Sequence, residues 1–104
     1  TLVFNPNNAK LLQSGKLDLT DVLAQLGNQG INNALLEAGP GLIGAMAESH
    51  LIDEFVIYSA PILMGSSANS MMQFAIEKMS DKVQLTINDI RMVGNDIRIT
   101  ATPK

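Results

Sequence analysis

Hydrophobic positions recur along this chain with two periods, one of about 3.6 residues and one of about 2, and the points where the period changes mark its elements. Leu2, Val3 and Phe4 make a short apolar run that stops at Asn5-Pro6-Asn7-Asn8, the pattern of a strand end followed by a turn. Leu19, Val22, Leu23 and Leu26 then share one face of a helix, with Asp18 as N-cap, Asp21 three residues further on and Gly30 as the stop. Residues 31–38 (INNALLEA) read as a brief apolar strand and residues 41–51 (GLIGAMAESHL) as a second helix. Residues 53–61 (DEFVIYSAP) read as a second strand, rich in β-branched and aromatic residues.

Alternation is sharpest near the C-terminus. Val83, Leu85 and Ile87 alternate with Gln84, Thr86 and Asn88, while Ile97, Ile99 and Ala101 alternate with Arg98, Thr100 and Thr102. Gly94-Asn95-Asp96 between them is turn chemistry, so an antiparallel hairpin closes the sheet. From Pro61 to Ser80 small, polar and Met residues mix without a period, which predicts loop with one short helix around Met71 to Ala75. Helix, strand, helix, strand and hairpin is the order of an α/β domain whose mixed, mainly parallel sheet is flanked by helices.

Composition narrows the function classes. A chain of 104 residues with 46% hydrophobic content suffices for one small domain and not for two. Net charge is −3 and the seven basic residues are scattered, which argues against a nucleic acid or an anionic membrane as partner. No apolar run approaches the roughly 18 residues that cross a bilayer, and the start lacks the basic-then-apolar order of a secretory signal. The chain therefore reads as soluble and cytoplasmic. With no cysteine and one histidine, His50, neither disulfide, thiolate nor zinc chemistry is expected. The opening residues read as the middle of a strand-to-loop passage, so the chain is expected to be a piece of something longer.

Gly39, Gly41 and Gly44 have the spacing G-x-G-x-x-G between an expected strand and an expected helix. Glycines in that context let backbone N–H groups approach a phosphate, and the positive end of the helix favours an anion there. The same glycines also suit a tight strand-to-helix connection, with Gly44 permitting close helix–sheet packing. A dinucleotide site of the doubly wound type further requires an acidic residue at the end of the next strand, about 20 residues on. Asp53 and Glu54 lie near that separation but precede the strand, whose far end is Ser59-Ala60-Pro61. That assignment is disfavoured.

The ordered set "GINNALLEAGPGLIGAMAESHLIDEFVIYSAPILMGSSA" resembles the C-terminal part of the reductase domain of the bifunctional riboflavin-biosynthesis deaminase/reductase, and "IRMVGNDIRIT" is similar to that family's closing hairpin. The match runs from about Lys16 to Thr102. The resemblance implies a dihydrofolate-reductase-like fold and NADPH-dependent reduction of the ribosyl group of 5-amino-6-(5-phosphoribosylamino)uracil to a ribityl chain, with hydride delivered to the sugar carbon. It places NADPH contacts on Gly39, Pro40, Gly41, Leu42, Ile43, Gly44 and Ala45, and a substrate contact on Glu37. Ile62 stands where relatives often carry a lysine. The resemblance further implies that the first part of the reductase domain and the zinc deaminase domain are not included, so residues 1–104 are one C-terminal segment of a single domain, expected to be inactive alone.

Other residues carry less. Glu37 could instead be a carboxylate held by the neighbouring helix dipole. His50, at a helix end with no paired carboxylate, is read as a dipole partner without a catalytic role. Asp53 and Glu54 are read as a solvated turn, and the six methionines as gap-filling core or interface. Ser59, Ser66, Ser67 and Ser70 lack an accompanying histidine and acid, so no nucleophilic hydrolase is expected. Neither catalytic nor metal-ligating residues are assigned. Two alternatives stay open: another dihydrofolate-reductase-like enzyme of a pterin- or pyrimidine-like substrate, or a non-catalytic fragment that self-associates as a homodimer through its unpaired edges and apolar face.

Overall fold

A computed structural model describes residues 2–73, 76 and 79–104, and the chain divides into two units, Thr1–Glu37 and Ala38–Lys104. In the first unit, helix α1 (Leu19–Asn28) begins where expected, because the Asp18 carboxylate accepts from the N–H groups of Thr20 at 3.0 Å and Asp21 at 3.4 Å. Asp21 does not complete a reciprocal capping pair. Its carboxylate accepts from the Lys10 N–H at 2.9 Å and from Gln25 Nε2 at 3.0 Å, while the Asp18 N–H donates to the Lys10 carbonyl at 2.8 Å. Those bonds, the Lys10 N–H foremost, hold the Asp21 carboxyl below its ordinary pKa. The helix ends in a Schellman motif: Gly30, at φ 84°, donates to the Gly27 carbonyl and Ile31 to the Leu26 carbonyl.

The expected turn at residues 5–8 is present, with the N–H groups of Asn8 and Ala9 both on the Asn5 carbonyl at 3.1 Å. The expected strands at Leu2-Val3-Phe4 and at residues 31–38 are not. Both are apolar runs, but a strand exists only where its N–H and C=O groups find a ladder, and neither run has a partner among the described residues.

The second unit carries α2 (Pro40–Glu48), β1 (Phe55–Ser59), a single 3₁₀ turn (Met79–Asp81), β2 (Leu85–Val93) and β3 (Asp96–Pro103). Its sheet has the order β1-β3-β2 and is antiparallel throughout, so the mainly parallel arrangement expected from element order is absent among the described residues. Parallel pairing needed residues 31–38 beside β1, and those residues are unpaired. Of the short helix expected around Met71 to Ala75, Met71, Met72 and Gln73 are non-helical, and Phe74 and Ala75 lie outside the described residues.

The closing hairpin forms as read. Val93 pairs with Asp96 around the two-residue loop Gly94-Asn95, with Gly94 at φ 61°, the positive value that a type II′ turn requires at its first central position. An interruption of register between Ile87 and Asp89 was not anticipated. Ile87 pairs with Ala101 and Ile90 with Ile99, so the extra residue returns Ile90 and Met92 to the face that Ile87 occupies. Without that bulge the three-residue spacing would send Ile90 to the opposite face.

On the polar face Arg91 lies directly opposite Arg98, and Asp89 bridges both guanidiniums at 2.8 and 3.6 Å. The Arg91 hydrogen bond is the main reason that the Asp89 carboxyl is held below its ordinary pKa. Met46 and Ala47 of α2 and Ala101 of β3 are the buried apolar side chains among the described residues. On the face of β2 that pairs with Ala101, Ile99 and Ile97, the residues Ile87, Ile90 and Met92 remain 56–63% exposed.

Candidate functional site

The glycine turn becomes the beginning of α2. Gly39 is the N-cap, in extended backbone at φ −75° and ψ 172°, and Pro40 occupies the first helical position, where its fixed φ suits the helix and its missing N–H costs nothing. A glycine N-cap brings no side chain, and no acidic residue lies in the first turn. The Ile43 N–H donates to the Gly39 carbonyl at 3.2 Å, whereas the N–H groups of Gly41 and Leu42 have no acceptor among the described residues. The result is a helix start with two unsatisfied donors, the positive end of the dipole and no carboxylate competing for them.

The three glycines differ in what requires them. A Cβ on Gly39 or Gly41 would meet nothing within 4 Å, and neither has a positive φ. Neither backbone conformation nor packing among the described residues therefore demands glycine there. Gly44 is buried, and a Cβ on it would overlap the backbone of Gln73. The expectation that Gly44 permits close packing holds, but its neighbour is this loop segment rather than the sheet.

Thus the cap and the first two turns of α2 bring together Gly39, Pro40, Gly41, Leu42, Ile43, Gly44 and Ala45. Gly39, Gly41 and Leu42 are exposed, Pro40, Ile43 and Ala45 half-buried. Glu37 is exposed and is the last residue of the first unit, two positions before the cap in sequence. Gln73 was missed by sequence reasoning: its N–H donates to the Pro40 carbonyl at 2.9 Å, a contact between positions 33 residues apart that no local pattern signals.

At the other end of α2 a groove of about 250 Å³ is lined by Ala47, His50, Ile52, Asp53, Phe55, Val83 and Pro103, and includes none of the expected cofactor residues. His50 sits there at φ 57° as the left-handed residue of a second Schellman motif, donating to the Ala47 carbonyl while Leu51 donates to the Met46 carbonyl. In α1 the same position is Gly30. A side chain in that conformation costs about 1–2 kcal/mol, so His50→Gly is expected to raise stability by about 0.5–1 kcal/mol, after allowance of about 0.5–1 kcal/mol for the greater freedom of glycine in the unfolded chain. Thermal unfolding checks it, and a fall in Tm would show that the imidazole makes a compensating contact.

Among the described residues no group of three His, Asp or Glu side chains could hold a metal ion, and no helix is long and apolar enough to cross a membrane. Residues 3–99 match the family described as the RibD C-terminal domain. The chain is 43% identical over 84 residues to the riboflavin biosynthesis protein RibD of Escherichia coli, covering 80% of this chain and 23% of that protein. It is 38% identical over 90 residues to the 5-amino-6-(5-phosphoribosylamino)uracil reductase of Buchnera aphidicola, covering 86% of this chain and 44% of that one. Its structure is similar to that of Acinetobacter baumannii RibD, with a TM-score of 0.78 at 33% identity over 86% of this chain and 26% of that chain. The chain thus spans about a quarter to under half the length of these relatives.

Proposed function

The chain belongs to the RibD C-terminal domain family, and from that premise we propose that it is the C-terminal segment of a soluble, cytoplasmic reductase. That enzyme reduces the ribosyl group of 5-amino-6-(5-phosphoribosylamino)uracil to ribityl with NADPH. The three antiparallel strands are then one part of a larger mixed sheet of dihydrofolate-reductase type, whose parallel strands include residues 31–38. The names of the Escherichia coli and Buchnera relatives support the reaction class.

The observation that carries the cofactor half of this reading is the open first turn of α2. Its two free N–H groups and the empty space over Gly39 and Gly41 fit a phosphate, because an anion there satisfies both donors and meets no Cβ. When bound, NADPH supplies the hydride. The N–H groups of Gly41 and Leu42 hold its phosphates, Gly39 and Pro40 shape the approach, and Ile43, Gly44 and Ala45 fix the turn from behind.

Glu37 takes the substrate role in this reading. Its carboxylate accepts hydrogen bonds from hydroxyls of the pyrimidine's sugar, each charge-assisted bond contributing roughly 1.5–3 kcal/mol. In the intact reductase that carries this segment, Glu37→Gln is expected to lower kcat/KM for the pyrimidine on the order of tenfold to a hundredfold while leaving NADPH affinity nearly unchanged. Steady-state kinetics with each ligand varied in turn test it. A loss confined to NADPH would assign the residue to the cofactor.

A second reading is favoured by the exposed strip Ile87, Ile90, Met92 and Ile97, which share one sheet face on the hairpin. A contiguous apolar strip of this kind marks an association surface, and a second copy of the chain would cover it as a homodimer.

A further inference from the structure

We infer that Gly44 and Gln73 form a backbone clamp that fixes the first turn of α2, and that both are positioning residues for the proposed phosphate site. The inference rests on that reading of the site and extends it to a residue far away in sequence. The helix ladder offers the Pro40 carbonyl to the N–H four residues on, that of Gly44. The Gln73 N–H donates to the same carbonyl at 2.9 Å, so its peptide must lie one turn up the helix, against position 44. Only a residue without a Cβ leaves room there, since any Cβ on Gly44 would overlap the Gln73 backbone. The hydrogen bond and the glycine are two halves of one contact.

That contact matters because, among the described residues, the first turn of α2 is otherwise steadied from within the helix itself, by the Ile43 N–H on the Gly39 carbonyl and the fixed φ of Pro40. Its N-cap makes no side-chain hydrogen bond, and an uncapped helix end frays. The two unsatisfied donors, Gly41 and Leu42, immediately follow the clamped Pro40 carbonyl, so the clamp sets the direction in which they point without itself occupying the space over Gly39 and Gly41. The third glycine of the G-x-G-x-x-G pattern therefore acts through Gln73 rather than by lying against the ligand.

The test uses the intact reductase carrying this segment, with Gly44→Ala, Gln73→Pro, their combination, and Gly41→Asp as reference. In the ligand-free protein, amide hydrogen exchange at Ile43, whose N–H is bonded to the Gly39 carbonyl, is expected to quicken at least tenfold in Gly44→Ala and in Gln73→Pro. The KM for NADPH should rise tenfold or more, with kcat at saturating NADPH changed less than twofold. Because both changes break one contact, the combined variant should be no worse than the poorer single variant. If Gly44→Ala does not fold, the outcome is read from Gln73→Pro, which deletes the hydrogen bond without adding volume at position 44. Unchanged exchange in a folded variant overturns the clamp, as does an unchanged KM for NADPH where Gly41→Asp raises it. If Gly41→Asp itself leaves that KM unchanged, the phosphate-site reading fails instead, and exchange alone decides the clamp: faster exchange upholds it and unchanged exchange overturns it.

Discussion

Gly41→Asp in the intact reductase is expected to raise the KM for NADPH by about a hundredfold or more while the protein stays folded. The Cβ of Gly41 would enter open space, so the chain itself has room for the new side chain. A carboxylate in the first turn of a helix also interacts favourably with the dipole, so Tm should hold or rise slightly. The cost falls on the ligand. The new charge lies where the phosphates are proposed to bind and satisfies the donors meant for them; juxtaposed like charges cost several kcal/mol, and about 1.4 kcal/mol is tenfold in affinity. Kinetics at varied NADPH, with circular dichroism to verify folding, decide the matter. An unchanged KM in a folded variant would remove the phosphates from this turn.

The isolated 104-residue chain is expected to show no measurable NADPH oxidation with the pyrimidine, yet to be folded and at least dimeric. It matches 44% of the length of the Buchnera reductase, so most of the walls that would hold hydride donor and sugar in register lie elsewhere. Misplacement by about 1 Å already costs on the order of a hundredfold in rate. Folding is a separate matter, because the hairpin and β1 form a continuous three-stranded ladder. Association follows from its apolar face, where Ile87, Ile90 and Met92 are largely exposed and a symmetry-related copy would cover them. Turnover near that of an intact reductase would refute the first half of this expectation. A well-behaved monomer by light scattering at micromolar concentration would refute the second.

Sequence alone determined the elements whose stabilising contacts are local. Asp18 caps α1 through N–H groups two and three residues away, Gly30 ends it in a left-handed conformation, and Gly94 turns the hairpin. Each rests on an intrinsic φ preference or on a hydrogen bond within a few residues, and both leave a mark in the letters. The likeness to a reductase family was legible for the same reason, as an ordered run of such marks.

Tertiary structure decided whatever depends on a partner. Residues 31–38 look like a strand and are not paired as one, because alternation records which face is apolar and says nothing of whether a neighbour is there. Among the described residues β1 pairs antiparallel with β3 rather than parallel with a preceding strand, a choice that element order does not encode. The bulge beside Asn88 keeps Ile87, Ile90 and Met92 on one face despite a broken period. The three glycines, alike in the sequence pattern, separate into two open positions and one filled by the backbone of Gln73. A hydrogen bond from position 73 to position 40 involves only backbone atoms, which every residue but proline supplies, so no side-chain letter announces it.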